Sequence, residues 1–174
     1  MWRSWLARTA GGREVAGSSP VTPTITDGSK MSEDKKTTNN SHLIIYTDGG
    51  SRGNPGPSAS GYVIYTSEML MLKEGGEYLG ITTNNQAEYQ AVKTALEEAR
   101  KLGAVEVNCF MDSLLVVNQL LGIYKVKNRD LWPIYSSIKE LLAEFNSYSI
   151  KHVPRKENSA ADSMVNKILD GRQI

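Results

Sequence analysis

Four acidic residues, Asp48, Glu88, Asp112 and Asp162, are of a type and in positions that could build a divalent-metal site. Carboxylates brought together repel and raise each other's pKa. A divalent cation removes that conflict. Mg²⁺ takes hard oxygen ligands in octahedral geometry and is commonly shared with substrate phosphates. Two such ions about 4 Å apart can activate a water and stabilise the departing oxygen in phosphodiester cleavage. Each acid also has a plainer reading. Asp48 could end a strand as an ordinary turn residue. Asp112 could cap the helix that follows it. Ser159-x-x-Asp162 matches a capping box, which needs no ligand. Glu88 is harder to set aside. Positions 88, 92, 95 and 99 are Glu, Val, Ala and Ala, so Glu88 shares a helix face with apolar residues. An ionised carboxylate on a buried face needs a partner. No basic residue lies on that stripe, which makes a metal a reasonable candidate.

These acids must be positioned by strands and helices. Leu43 to Tyr46 reads as a strand buried on both faces, ending at Asp48. The turn after it, Gly49-Gly-Ser-Arg-Gly-Asn-Pro-Gly-Pro57, is too rich in Gly and Pro for regular structure. Its glycines would let a ligand approach the main chain, and its N–H groups could hold phosphate oxygens. Gly61–Thr66 and Met69–Gly80 read as two further strands of an antiparallel meander. Thr83 or Asn84 caps a helix that runs to Leu102 and stops at Gly103. Val105–Met111 is a fourth strand, followed by a short helix from Ser113 to Leu121. A helix over Asp130–Phe145, a strand over Tyr148–Val153 and a helix over Ser159–Leu169 complete a β-β-β-α-β-α-α-β-α order. That order predicts an α/β domain with an antiparallel start and parallel later strands. Asp48 and Asp112 would then end adjacent parallel strands, where ligand sites of such sheets gather.

The chain of 174 residues is long enough for one domain with a sizeable core. No apolar run approaches the roughly 18 residues of a membrane span. The single cysteine, Cys109, rules out an intrachain disulfide and fits a reducing compartment, so a cytoplasmic location is expected. Its apolar surroundings make it a buried structural thiol. Net charge is +1, with +2 in residues 1–30 and −1 in the rest, so any nucleic-acid binding must rest on local charge placement. Residues 1–30 lack hydrophobic periodicity. Their three arginines would suit an organelle transit peptide. The preferred expectation is different: Gly17-Ser18-Ser19-Pro20 can be back-translated as the T-arm of a transfer-RNA gene read in frame, with Met31 the true start. Residues 31–42 are polar, as in a disordered lead-in. The domain is expected over residues 43–170, with a short tail over 171–174.

Four separated stretches, Tyr46-Thr-Asp-Gly-Gly-Ser-Arg-Gly-Asn-Pro-Gly-Pro57, Thr82-Thr-Asn-Asn-Gln-Ala-Glu-Tyr89, Met111-Asp-Ser113 and Glu157-Asn-x-x-x-Asp162, together resemble the type 1 ribonuclease H family. The likeness is collinear from Leu43 to Leu169. It implies a ribonuclease H-like fold: a five-stranded mixed sheet flanked by helices. It also implies a monomeric enzyme that hydrolyses the RNA strand of an RNA/DNA hybrid with two divalent ions, Mg²⁺ or Mn²⁺. The family's acidic quartet falls on Asp48, Glu88, Asp112 and Asp162. The resemblance places Asn54 and Thr83 near a DNA-strand phosphate, and Asn84, Asn85 and Gln86 in the minor groove. Backbone at Gly49, Gly50 and Ser51, with Glu88, would meet ribose 2′-hydroxyls, the groups that distinguish RNA from DNA.

Two departures from the family pattern stand out. Many bacterial members carry a basic, Trp-containing helix where this chain has only Gly122–Arg129. Lys125, Lys127 and Arg129 there could contact phosphate weakly or be solvated loop charges. The slot of a mobile histidine falls on Arg155, which cannot act as a base but could help release product phosphate. His152 reads as a strand-end histidine. Rival readings are a non-catalytic hybrid-binding module, another nuclease on the same fold and a ribonuclease H domain severed from a reverse transcriptase. The four acids argue against the first, and the Thr-Asn-Asn before Glu88 with the Gly-Asn-Pro-Gly turn against the second. With no polymerase partner in the sequence, a stand-alone enzyme is a simpler expectation than the third.

Overall fold

The structure, a computed structural model, describes residues 41–171. The expectations for residues 1–30, the Met31 start, most of the polar lead-in and the end of the tail lie outside them. The first strand, β1 (His42–Ser51), pairs antiparallel with β2 (Gly56–Thr66), which pairs antiparallel with β3 (Met71–Thr82). Helix α1 (Asn84–Lys101) leads to β4 (Glu106–Met111), parallel to β1. Helices α2 (Leu114–Leu120) and α3 (Trp132–Ala143) precede β5 (Ser147–His152), parallel to β4, and α4 (Ser159–Asp170) ends the domain. The sheet order is β3-β2-β1-β4-β5, the mixed five-stranded sheet expected. Among the described residues no helix is long and apolar enough to cross a membrane.

Several boundaries shift by a residue or two, β3 running Met71–Thr82 rather than Met69–Gly80 among them, and three larger differences have a physical reason. Strand β1 does not stop at Asp48. Its parallel pairing to β4 ends at Thr47↔Met111, while its antiparallel pairing to β2 continues to Ser51↔Ser58. The Gly/Pro turn is therefore confined to a few residues, closed by the Arg52 N–H donating to the Pro57 carbonyl at 2.8 Å. Strand β2 consequently starts at Gly56 rather than Gly61. Nor is β1 buried on both faces. Leu43 and Ile45 are fully buried, but Ile44 and Tyr46 are half-buried, and Tyr46 lies stacked on Phe110 at 5.1 Å and edge-on to Tyr65. The predicted Asp130–Phe145 helix begins later, at Trp132. A one-turn 3₁₀ segment, Arg129–Leu131, precedes it and is capped by Asn128, whose side chain accepts from the Asp130 N–H.

The main core joins β1, β2, β4 and β5 to α1, α2 and α3, with Leu43, Ile45, Ile64, Leu96, Met111, Ile138 and Leu142 almost fully buried. A smaller cluster, Ala59, Val165 and Leu169, seats α4 on the opposite face. Cys109 is buried in the main core, and burial pushes its thiol up to about 12, so it is inert there. Helix α1 carries Ala87, Ala91, Ala95 and Ala99 at successive i+4 positions, all fully buried. A row without bulky side chains lets this helix lie close on the sheet. The closest approach is at Gly49, where an added Cβ would stand 2.1 Å from the Glu88 nitrogen and 2.2 Å from the Ala87 carbonyl carbon.

Gly49→Ala must therefore displace helix backbone, whereas Gly50→Ala meets the side chain of Val165 at 2.8 Å. The expected cost of the first is about 3 kcal/mol or more, above that of the second. Urea unfolding of both variants checks this; equal stabilities would contradict the close approach.

Candidate active site

The carboxylates of Asp48, Glu88 and Asp112 each offer an oxygen within 4.8 Å of the others. Three separate elements deliver them. Asp48 comes from β1 at the point where β4 parts from it, and Asp112 immediately follows β4. Glu88 comes from the first turns of α1, and both Asp48 and Glu88 are only 7% exposed. These three line a cleft of about 510 Å³ with Gly49, Gly50, Ser51, Asn84, Arg155 and Asp162. Asp162 enters from α4 and is held from two sides, by Arg155 at 2.7 Å and by the Asn166 amide at 2.9 Å.

Neither Asp112 nor Asp162 acts as a cap, although Asp162 does lie in the first turn of α4. The N-cap of α2 is Ser113, with no side-chain cap bond, so Asp112 does not cap it. The N-cap of α4 is Asn158 rather than Ser159, and no capping box forms around Asp162. The capping box that does form is on α1, where Thr83 and Gln86 bond reciprocally.

Of the other expected site residues, Asn84 lines the carboxylate cleft, while Asn85 lines a neighbouring hollow with Lys125, Lys127 and Asn128. Gln86 lines a third hollow beside Thr82 and Gln90, and its side-chain oxygen is committed to the Thr83 cap. Asn54 accepts from the Asn84 N–H at 3.2 Å, tying the Gly/Pro turn to the start of α1. Lys125, Lys127 and Arg129 are exposed. His152 contacts the Asp112 carbonyl oxygen at 3.2 Å from an exposed position at the end of β5.

Sequence reasoning left Asn158 without a role. It is fully buried, and its amide donates to the Thr47 carbonyl at 2.9 Å and to the Asp112 carboxylate at 3.3 Å. One side chain thus fixes the split between β1 and β4 and the orientation of Asp112. A buried amide far away in sequence carries no local signal of this kind. Asn166, by contrast, sits four residues after Asp162, a spacing that predicts the contact.

The electrostatics are those of a crowded anion site. Burial, then the charges of Asp112 and Asp162, raise Asp48 to about 6, against the opposing pull of Arg155 and the Gly49 N–H. Burial, then Asp48 and Asp112, push Glu88 well above the usual carboxylate range, with the Gly49 N–H opposing. Among the described residues none of Asp48, Glu88 and Asp112 belongs to an ion pair. Hard oxygen donors, close together, partly desolvated and without cationic partners, fit a divalent ion such as Mg²⁺.

Folding raises the pKa of Asp48, so the folded state holds the proton more tightly and stability falls as pH rises from 3.8 to about 6. The full rise corresponds to roughly 3 kcal/mol. Without metal, Asp48→Asn should be more stable than wild type above pH 6, with the advantage shrinking toward pH 4. Mg²⁺ should raise the wild-type Tm at pH 7.5 more than at pH 4. A pH-independent difference in thermal melts would refute the crowding. Asn158→Ala should cost about 1–3 kcal/mol, because the Thr47 carbonyl loses its partner. It should also weaken Mg²⁺ binding by calorimetry, since Asp112 is no longer held; unchanged Mg²⁺ affinity would remove Asn158 as a positioning residue.

Comparison with known proteins points the same way. Residues 46–168 match the family model described as reverse transcriptase-like. A bifunctional protein of Mycobacterium tuberculosis is 42% identical over 129 residues, covering 74% of this chain and 35% of that protein. Ribonuclease HI of Halobacterium salinarum is 44% identical over 125 residues, covering 72% of this chain and 63% of that protein. The chain thus spans about a third to under two thirds of the length of these relatives. The crystal structure of RNase H1 from the same archaeon aligns with a TM-score of 0.73 at 42% identity, over 75% of this chain and 98% of that one. That of LC11-RNase H1 in complex with RNA/DNA hybrid aligns with a TM-score of 0.71 at 42% identity, over 74% and 97%. Matched by the family model across nearly the whole sheet, and by solved members over almost their full length, the chain belongs to the type 1 ribonuclease H family.

Proposed function

We propose that this protein is an endoribonuclease that hydrolyses the RNA strand of RNA/DNA hybrids at the carboxylate cleft. The observation that carries the reading is the convergence of Asp48, Glu88 and Asp112 within 4.8 Å beside the Gly49–Ser51 backbone. Family membership and the hybrid bound by LC11-RNase H1 support the substrate class. Asp48, Glu88, Asp112 and Asp162 would hold two Mg²⁺ ions, with Mn²⁺ a possible substitute. Such ions supply an activated water and charge stabilisation at the departing oxygen.

The protein's own groups do the rest. Glu88 and the backbone of Gly49, Gly50 and Ser51 receive ribose 2′-hydroxyls, which selects RNA at the cut strand. Asn54 turns its oxygen to the Asn84 N–H, leaving its amide nitrogen as the donor for a DNA-strand phosphate. Thr83, its hydroxyl engaged in the cap, contributes by fixing the start of α1 beside that phosphate. Asn84, Asn85 and Gln86 present the first turn of α1 to the minor groove. Arg155 remains charged at any working pH, so it steadies Asp162 and can transfer to the product phosphate, but takes no proton. The same reading has the enzyme acting as a monomer in the cytoplasm, where a single buried thiol is at home.

The test is cleavage of matched RNA/DNA, RNA/RNA and DNA/DNA duplexes with Mg²⁺ or Mn²⁺, by wild type and Asp48→Asn. Wild type should cut the RNA strand of the hybrid, and the variant should lose at least about a hundredfold in rate. Equal rates would refute the metal assignment, and cutting of DNA/DNA the substrate class.

A further inference from the structure

Two guanidiniums line the carboxylate cleft, Arg155 and Arg52, and α4 holds both. Asp162, in its first turn, accepts from Arg155; Asp170, its last residue, accepts from Arg52. The two acids stand eight residues apart, about 12 Å along the helix. The Arg155 pair belongs to the carboxylate set, but the Arg52 pair has no role in it. Its side chains are 34% and 64% exposed. Exposed pairs of this kind contribute only about 0–1 kcal/mol. Asp170 also sits where the helix presents its partial negative charge, so its carboxylate is disfavoured there unless a cation offsets it. Among the described residues it has no other hydrogen-bond or ion-pair partner.

We propose that Arg52 is a phosphate clamp for the RNA strand, and that Asp170 is a stand-in anion which the phosphate displaces. This rests on the hybrid-cleaving reading above. A guanidinium fork binds phosphate oxygens in the same two-point geometry as a carboxylate. Arg52 directly follows the Gly49–Ser51 backbone, so the phosphate it takes belongs to the strand lying on that backbone. The chain's net charge of +1 provides little general attraction, and four carboxylates in the cleft repel a polyanion. A weakly held guanidinium at the rim supplies positive charge at the place where the strand enters. Its exchange from Asp170 makes that charge available to a phosphate that can compete for it.

The experiment measures binding of a fluorescent RNA/DNA hybrid by anisotropy, in the Asp48→Asn background so that no strand is cut, over a range of salt. Arg52→Ala should raise Kd about three- to tenfold and flatten the log–log salt slope by roughly 0.7–0.9, the loss of one phosphate contact. Arg52→Lys should keep the slope and recover part of the affinity. Asp170→Asn should act in the opposite sense and tighten binding by about two- to threefold, since the competing anion is gone. Thermal melts check folding; if Arg52→Ala is unfolded, Arg52→Lys and Asp170→Asn decide between them. A purely structural ion pair would make both substitutions weaken binding, and that result overturns the clamp. So does an Arg52→Ala protein with the parent's Kd and slope. Hybrid cleavage by wild type alongside such a result leaves the enzymatic reading standing; absence of hybrid binding and cleavage by the wild type overturns both.

Discussion

Helix α1 lies on β1 with no room for a β-carbon at Gly49, and most of the site depends on that contact. Ala87, the first of the buried row Ala87, Ala91, Ala95 and Ala99, lies at that approach and adds no bulk to it. Brought this close, Glu88 has its carboxylate beside those of Asp48 and Asp112 instead of a bulky layer of side chains away. The same Gly49 N–H counters the rise in pKa of both Asp48 and Glu88. Packing of small residues therefore forces three like charges together, and hydrophobic burial elsewhere in the domain sustains the repulsion.

The sheet contributes through a change of partner. Until Thr47, β1 has β4 on one side and β2 on the other; beyond it only β2 remains. The side given up by β4 opens into the cleft. Asp48 stands on a strand still held by β2, so it is rigid yet reachable. Asn158 spans the opening from α4, bonding Thr47 and Asp112 at once. A site built on strand and helix backbone in this way loses little orientation to loop motion.

Charge is arranged in two tiers around this opening. The three innermost carboxylates have no cationic partner among the described residues, which suits ions brought from solution. The outer acids, Asp162 and Asp170, are each met by an arginine. Both arginines border the cleft, so the protein holds its own cations at the rim and leaves the three inner carboxylates without one among the described residues. The exposed lysines after α2 border a different hollow, together with Asn85.

Much of this was legible along the chain. The element order, the mixed sheet and the acidic quartet follow from periodicity, turn residues and motif spacing, because these are local properties of strand, helix and turn. The position of Glu88 was legible for the same reason: its helix face is decided by 3.6-residue geometry. The end of β1 was not, since a Gly/Pro-rich stretch reads as a turn until a neighbouring strand pairs with it. Nor were the roles of Asn158 and Arg52, whose partners lie 111 and 118 residues away. The competing readings of Asp112 and Asp162 as caps were settled only in three dimensions, because cap and cleft positions look alike in sequence. The amino-acid sequence by itself determined which residues could do the chemistry and on which elements they ride. Tertiary structure alone decided that three of them meet within 4.8 Å, because that distance depends on how closely a helix can approach a strand.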